Sequence, residues 1–521
     1  METPSIPFKI LALAPFRTQE QTPWKNGPLR IDKYNFDEVM ERLGISVNLL
    51  LPKTFYPPER LSLSFKKFRD FHPDRIIENH PFLRNLFEAK KFAEEAGRKG
   101  LSQNEIERRL QSWPDLPFEF RFEPERKEKE ISSPLDEILR KVAMPEEGER
   151  PSAGIKAFIG QIDSQLRQIL RTLFLDESFR RLESTWRGLR CLIQQGGIDG
   201  DLRLGIIPIS NETVEEVFEL LLPNLLEELP SLLLIDLPMD NSPRSMEILE
   251  RVAQFSETLM TPTLFWVTEK FLYLDSWQDL KRLPYLPHYL EELPFAKWRR
   301  LKGLASSKWL VGTCLRFLLR YPYGPENPTT FTLFEESEPL WISPVWALGT
   351  LIAQSLSKTG WATLFTQWKE VRLTDLALYR VDKERNIPVE VELSEDRIGQ
   401  FIRAGIMPLV SSGNRDIAFF PVETTVGGTS LKYQLFLSRM VQFLLWCKDS
   451  IEKDLAPDLL GEKLKKSFAL FWEKSGHPVP KDFEISVRKL SDEKSTMVKL
   501  AIQPPRQILP SGERVELELP W

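Results

Sequence analysis

The chain has 521 residues, 42% apolar and 28% charged, an ordinary globular composition too long for one average core, so two or three domains are expected. A net charge of −5 argues against a basic nucleic-acid groove as the main function. Cys191, Cys314 and Cys447 stand far apart in apolar stretches. They read as free core thiols of a cytoplasmic protein rather than a disulfide framework. The apolar runs fall short of the roughly 20 residues a membrane helix needs, so no direct membrane insertion is expected.

Residues 6–14 read as a buried strand and 29–31 as a short one. Asn35 and Glu38 have capping-box spacing for a helix ending near Gly44. Residues 60–65 alternate as a strand. Helices follow over 73–79 and 81–97, with Leu83, Leu86, Phe87 and Phe92 as the apolar stripe. Residues 116–155 carry alternating charges and several prolines, the composition of a linker. Inside this linker, Pro117 to Pro124 places Phe118, Phe120 and Phe122 on one face and charges on the other. With no hairpin turn beside it, such a strand needs a distant or foreign sheet.

Helices are expected over 162–175 and 179–193. Then strands (202–209, 231–236, 263–267) alternate with helices (212–221, 243–259), the pattern of an α/β layer with a parallel component. Residues 309–319 and 341–356 read as apolar helices and 388–393 as a strand. Ser394 caps a helix through Ala404 that Gly405 closes. Strands at 406–409 and 416–420 and helices over 430–451 and 457–474 come next. Strands at 483–487, 498–502 and 515–519 end the chain.

Chemistry is sparse. His72, His80, His288 and His477 share no helical face, and His72 and His80 do not have zinc spacing. No Walker loop, nucleophile elbow or dinucleotide fingerprint occurs. Gly427-Gly428 before a helix reads first as a loop needing positive φ, and second as an anion cradle. No catalytic residue, cofactor or metal is expected.

Two stretches carry a resemblance. Ile31 to Arg42, Leu61 to Phe65 and Asp70 to Ile76 resemble the small sheath subunit of type VI secretion, TssB. Residues from Ile162 onward resemble the large subunit, TssC. The landmarks are Trp186-Arg187-Gly188-Leu189, Leu234-Ile235-Asp236, Asn241-Ser242-Pro243, Arg320-Tyr321-Pro322-Tyr323-Gly324, Phe334-Glu335-Glu336 and Gly360-Trp361. The chain thus looks like a fusion of two subunits, trimmed in its large part.

The resemblance implies a mixed α/β, multi-domain sheath fold with β-strand arms for exchange between subunits. The expected regions are 1–115 (TssB-like), 116–155 (linker with the exchange strand 117–124), 156–475 (TssC-like) and 476–521 (a β-rich tail). It implies a helical homopolymer around an inner tube protein, joined to a baseplate. The family's recycling ATPase would act on an exposed helix near residues 135–142, a segment internal in this sequence, which leaves recycling either present, changed or absent. Phe118, Phe120 and Phe122 are expected in one sheet with Val515, Leu517 and Leu519, partly supplied by a neighbouring copy. Intramolecular edge strands are the alternative. Lys463, Lys465 and Lys466, lying off the Leu460, Leu464, Phe468 and Phe471 stripe, are the tube-facing candidates, with plain solvent exposure the simpler reading. Trp186 and Arg187 are expected to pack helices, and Arg320 to Gly324 to fix a domain joint. The competing reading of the whole is a non-polymerising baseplate, cap or adaptor component.

Overall fold

A computed structural model describes residues 6–18, 23–51, 60–99, 101, 103–114, 116, 153–452, 455–489 and 496–521. The principal strands, in chain order, are β1 (Phe8–Ala14), β2 (Leu29–Arg30), β3 (Ile45–Leu50), β4 (Arg60–Phe65), β5 (Leu202–Pro208), β6 (Leu232–Met239), β7 (Thr263–Val267), β8 (Leu310–Cys314), β9 (Ile406–Pro408), β10 (Phe483–Lys489), β11 (Thr496–Ile502) and β12 (Val515–Pro520). The principal helices are α1 (Phe36–Leu43), α2 (Pro73–Asn79), α3 (Pro81–Arg98), α4 (Gln103–Gln111), α5 (Ala153–Leu175), α6 (Glu177–Gln195), α7 (Val214–Glu227), α8 (Pro243–Leu259), α9 (Pro344–Thr359), α10 (Glu395–Ala404), α11 (Leu431–Ser450) and α12 (Pro457–Lys474).

Contacts divide the chain into two compact units that cut across the expected regions. One holds Met1–Leu43, Arg181–Tyr321 and Pro339–Trp521; the other holds Gly44–Arg180 and Pro322–Glu338. In the first, a seven-stranded sheet runs in the order β9-β8-β7-β6-β1-β5-β2. Its pairs are parallel except that of β2 with β5. β1 lies between β5 and β6, pairing Phe8 with Leu202 and Ile10 with Leu232. The strands are near-continuous apolar runs, and every residue of β7 and β8 is buried, as a sheet covered on both faces requires. Farther along, α11 and α12 pack Phe443, Phe468 and Trp472 against Ile485, Leu500 and Val515 of the antiparallel meander β10-β11-β12.

The second unit is built on the β3–β4 hairpin, α2 to α5 and the loop 322–338. Phe65 stacks on Phe71 at 4.9 Å, and Phe179 and Phe174 extend the ring cluster to Tyr323 and Phe334. The Asp70 carboxylate closes a turn by accepting the Lys66 and Lys67 N–H groups at 2.9 and 2.8 Å. His72 Nδ1 accepts from the Asp74 N–H and caps α2. Lys90 on α3 reaches Asp163 on α5 at 2.8 Å.

Several expectations are corrected. Residues 309–319 form not a helix but a short 3-10 turn followed by β8, because a short apolar run does not reveal its period. Residues 388–393 form no strand beyond a bridge from Val389 to Phe317, and the Glu390 side chain is taken up by Arg316. Asn35 Oδ1 turns back to the Asp32 N–H rather than making the expected capping box. On α3 the buried residues are Leu83, Leu86, Ala89, Ala93, Ala96 and Gly97, while Phe87 stacks on Phe331 and Phe92 packs on Trp113. β3 was not anticipated. The expected exchange strand 117–124 lies outside the described residues, as does the segment near 135–142.

Candidate assembly site

Among the described residues, the sequence-predicted strand residues form a coherent surface in the C-terminal meander. β11 pairs Val498 with Leu519, Leu500 with Leu517 and Ile502 with Val515. Val515 and Leu517 are buried and Leu519 is half-buried, all against the core of α11 and α12. The opposite face is charged. Lys499 Nζ lies 3.1 Å from Glu516 and 3.6 Å from Glu518, and Arg514 Nε lies 3.1 Å from Glu516. Hydrogen bonding and charge from Lys499 hold the Glu516 carboxyl below its ordinary pKa.

The edge of β12 follows from one hydrogen bond. The Trp521 N–H donates to Thr496 O at 2.8 Å. Along an antiparallel ladder, bonded and non-bonded pairs alternate. Val515, Leu517 and Leu519 therefore turn their N–H groups toward β11, and Glu516 and Glu518 turn theirs outward. Pro520, next along the strand, has no N–H to offer. Among the described residues no strand pairs with this outer edge of β12. Phe118, Phe120 and Phe122, its expected companions, lie outside the described residues.

The lysines of α12 are not equivalent. Leu460, Leu464, Phe468 and Phe471 are buried, as their spacing implies. Lys463 sits 3.6 Å from Glu452, whereas Lys465 and Lys466 are exposed.

The crevice where an open parallel sheet would bind a ligand is filled with side chains. Such ligands sit beyond the carboxyl ends of strands where the strand order reverses. Beyond β1, Phe16, Trp186 and Trp346 are fully buried, with ring centroids 5.3 Å (Phe16–Trp186) and 6.3 Å (Phe16–Trp346) apart. The Trp186 Nε1–H donates to Phe16 O. Asp236 Oδ2 accepts from Trp346 Nε1 at 2.7 Å and Thr185 Oγ1 at 3.2 Å. Burial pushes its carboxyl up in pKa, with the hydrogen bonds from Trp346 and Thr185 opposing. Asp236 thus serves as a packed structural acid.

The landmark motifs have structural causes. A Cβ on Gly188 would lie 2.3 Å from the Trp346 ring, and one on Gly349 2.6 Å from Leu234, so both glycines let α9 approach closely. The fully buried Glu183, which the sequence reading missed, takes Arg187 Nε at 2.7 Å and Arg320 Nε at 3.0 Å. Its signal was the i,i+4 spacing to Arg187. Arg320 stands next to Tyr321, where the chain leaves the first compact unit for residues 322–338. In the other unit, Gly324 has φ +151°, and the Tyr323 N–H donates to Glu336.

Cys191, Cys314 and Cys447 are buried, and burial raises all three thiols, Cys191 and Cys447 to about 12. Gly428 has φ +77°, the loop reading of that dipeptide. Among the described residues no group of three or more His, Cys, Asp or Glu could hold a metal, and no helix is long and apolar enough to cross a membrane.

Comparison with known proteins agrees with these landmarks. The family model VipB (EvpB/VC_A0108, tail sheath N-terminal domain) matches residues 156–223 and 230–427, just over half of the chain. The model T6SS_VipA (type VI secretion system, VipA, VC_A0107 or Hcp2) matches residues 1–113. The type VI secretion system sheath protein TssC1 of Pseudomonas aeruginosa is 24% identical over 310 residues, covering 53% of this chain and 61% of that protein. Among solved structures, the contracted helical sheath of the anti-feeding prophage aligns with TM-score 0.35 and 10% identity, covering 64% of this chain and 76% of that one. A sheath tail protein from Listeria innocua aligns with TM-score 0.33 and 9% identity, covering 62% and 61%. The chain belongs to the VipB tail sheath family of type VI secretion and carries a VipA-like region on the same polypeptide.

Proposed function

We propose that this protein is a structural subunit of a contractile-sheath-like helical polymer that surrounds an inner tube in the cytoplasm and meets a baseplate at its end. Family membership supports the sheath role. The single structural observation that carries the assembly mode is β12, paired with β11 on one side and, among the described residues, with no strand on the other, toward which the N–H groups of Glu516 and Glu518 turn. A helical polymer needs heterologous contacts that do not close, and a strand added to an edge supplies them through main-chain hydrogen bonds. Each such bond contributes roughly 1 kcal/mol net, so a few per subunit, repeated along a polymer, suffice. The segment 117–124 of a neighbouring copy is the strand we assign to this edge. Its three phenylalanines would continue the apolar face made by Val515, Leu517 and Leu519.

The test uses proline as an edge probe. Glu516→Pro and Glu518→Pro remove outward donors and leave the β11 ladder intact, while Leu517→Pro removes a donor from that ladder. Negative-stain microscopy of the full chain, alone and with a tube protein, is expected to show polymers lost in the first two variants with little change in subunit melting. Leu517→Pro is expected to lower subunit melting itself. Long assemblies persisting in Glu516→Pro and Glu518→Pro would refute strand addition at β12. Wild-type particles that stay single at high concentration would favour the adaptor reading instead.

A further inference from the structure

A cleft of about 280 Å³ opens at the amino ends of β1 and β5, far along those strands from the filled crevice. Arg439 of α11 lines it, with its guanidinium 5.5 Å from the Phe471 ring. Its Nη2 donates to Ile6 O at 2.5 Å and its Nη1 to Pro7 O at 3.4 Å. Among the described residues no carboxylate forms an ion pair with it. Asp201, the acid whose charge reaches it, is engaged by Lys474 at 3.1 Å. A charge withdrawn from water and left without a counter-charge is costly, and burial lowers the Arg439 pKa to about 10 despite Asp201. A guanidinium also carries more N–H donors than two carbonyls use, in a fork matched to a carboxylate.

We propose that this cleft binds a monocarboxylate on an apolar stem, the carboxylate on Arg439 and the stem against Phe471, Trp361 and Leu356. The rim supplies selectivity. Asp199 and Asp201 both line the cleft and repel polyanions such as phosphate, while a single carboxylate reaching past them meets the Arg439 guanidinium, which among the described residues has no ion-pair partner. This site does not depend on the polymer reading, since it needs no second copy. The carboxylate has two sources, a free small acid or an acidic side chain such as Glu2, just upstream of Ile6 in the sequence.

The experiment titrates 3-phenylpropionate into the full-length protein by calorimetry, with 3-phenylpropanol and inorganic phosphate as controls. The acid is expected to bind saturably, and the alcohol and phosphate at least about tenfold more weakly, a difference near 1.4 kcal/mol. Arg439→Lys keeps the charge but loses the fork. Ser357→Trp leaves Arg439 alone and fills the mouth from an exposed rim position. Each is expected to lose about tenfold or more in affinity while far-UV circular dichroism shows an unchanged fold. Tighter binding in Glu2→Gln would identify the chain's own acid as the natural occupant, and unchanged binding would identify a free acid. The proposal is overturned by an absence of saturable binding in both wild type and Glu2→Gln, by equal binding of the alcohol, or by full binding in folded Ser357→Trp.

Discussion

Glu183 shows how a single residue organises a motif. Burial alone would raise its carboxyl, but Arg320 and Arg187 more than offset this and hold it below the ordinary value. Removing the carboxylate takes away the buried acid that two guanidinium groups, with side-chain exposures of only 8% and 15%, both grip. Glu183→Gln is therefore expected to destabilise the fold by about 3–5 kcal/mol in urea denaturation. The pH dependence follows from the sign of the shift. The Glu183 contribution is present above its ordinary pKa of 4.5 and lost as pH falls through the lower native value, so the variant should lack that acid-side loss. Asp236 works in the opposite direction. Its raised carboxyl contributes fully below 3.8 and loses that contribution as pH rises through the native value. Asp236→Asn is expected to gain on wild type as pH increases, measured by urea denaturation between pH 4 and 8. Gly188→Ala forces a methyl into the Trp346 ring and should cost about 1–3 kcal/mol, with Trp346→Phe in the same chain recovering part of it.

Among the elements, those with a strong local signal were legible in the sequence. Thr263–Val267 and Pro243–Leu259 appear with the expected bounds, and Ser394 caps α10 by accepting the Arg397 N–H while Gly405 closes it at φ +85°. Residues 309–319 misled because Leu310–Cys314 is apolar at every position, and a strand buried on both faces has no period to read. β3 was missed because its partner β4 comes after a long connection, and nothing in Ile45–Leu50 alone names that partner. At β12 the alternation of Val515, Leu517 and Leu519 with Glu516 and Glu518 was plain, but which edge stays open depended on the position of β11. For α12, Lys463 lies 3.6 Å from Glu452 while Lys465 and Lys466 are exposed, and we propose the last two as the simplest probes of a tube-facing surface. Lys465→Glu with Lys466→Glu is expected to reduce co-sedimentation with the tube protein severalfold and to weaken further with salt. Unchanged co-sedimentation would remove this face from the mechanism.

At the scale of the molecule, the family regions and the compact units do not coincide. Residues 1–113 match one family and 156–427 the other, yet β1, from the first, is hydrogen-bonded on both sides by β5 and β6 of the second. The linker joining them is therefore not what holds them together. Separate polypeptides of residues 1–116 and 153–521, produced in one cell, are expected to co-purify. Residues 153–521 alone are expected to aggregate, because removing β1 exposes two sheet edges and the apolar faces beside them. A folded, monomeric 153–521 fragment in size-exclusion chromatography would contradict this.

The sequence by itself determined the family, most helices and strands, and the amphipathic faces of β12 and α12, because these follow from local periodicity, capping and motif spacing. It did not determine where β1 inserts, what Glu183 meets, which crevice is filled and which cleft stays open. Those features come from residues far apart in the chain, such as Glu183 with Arg320 or Ile6 with Arg439. Burial and charge at such sites depend on what the fold brings alongside, and that is set by tertiary packing.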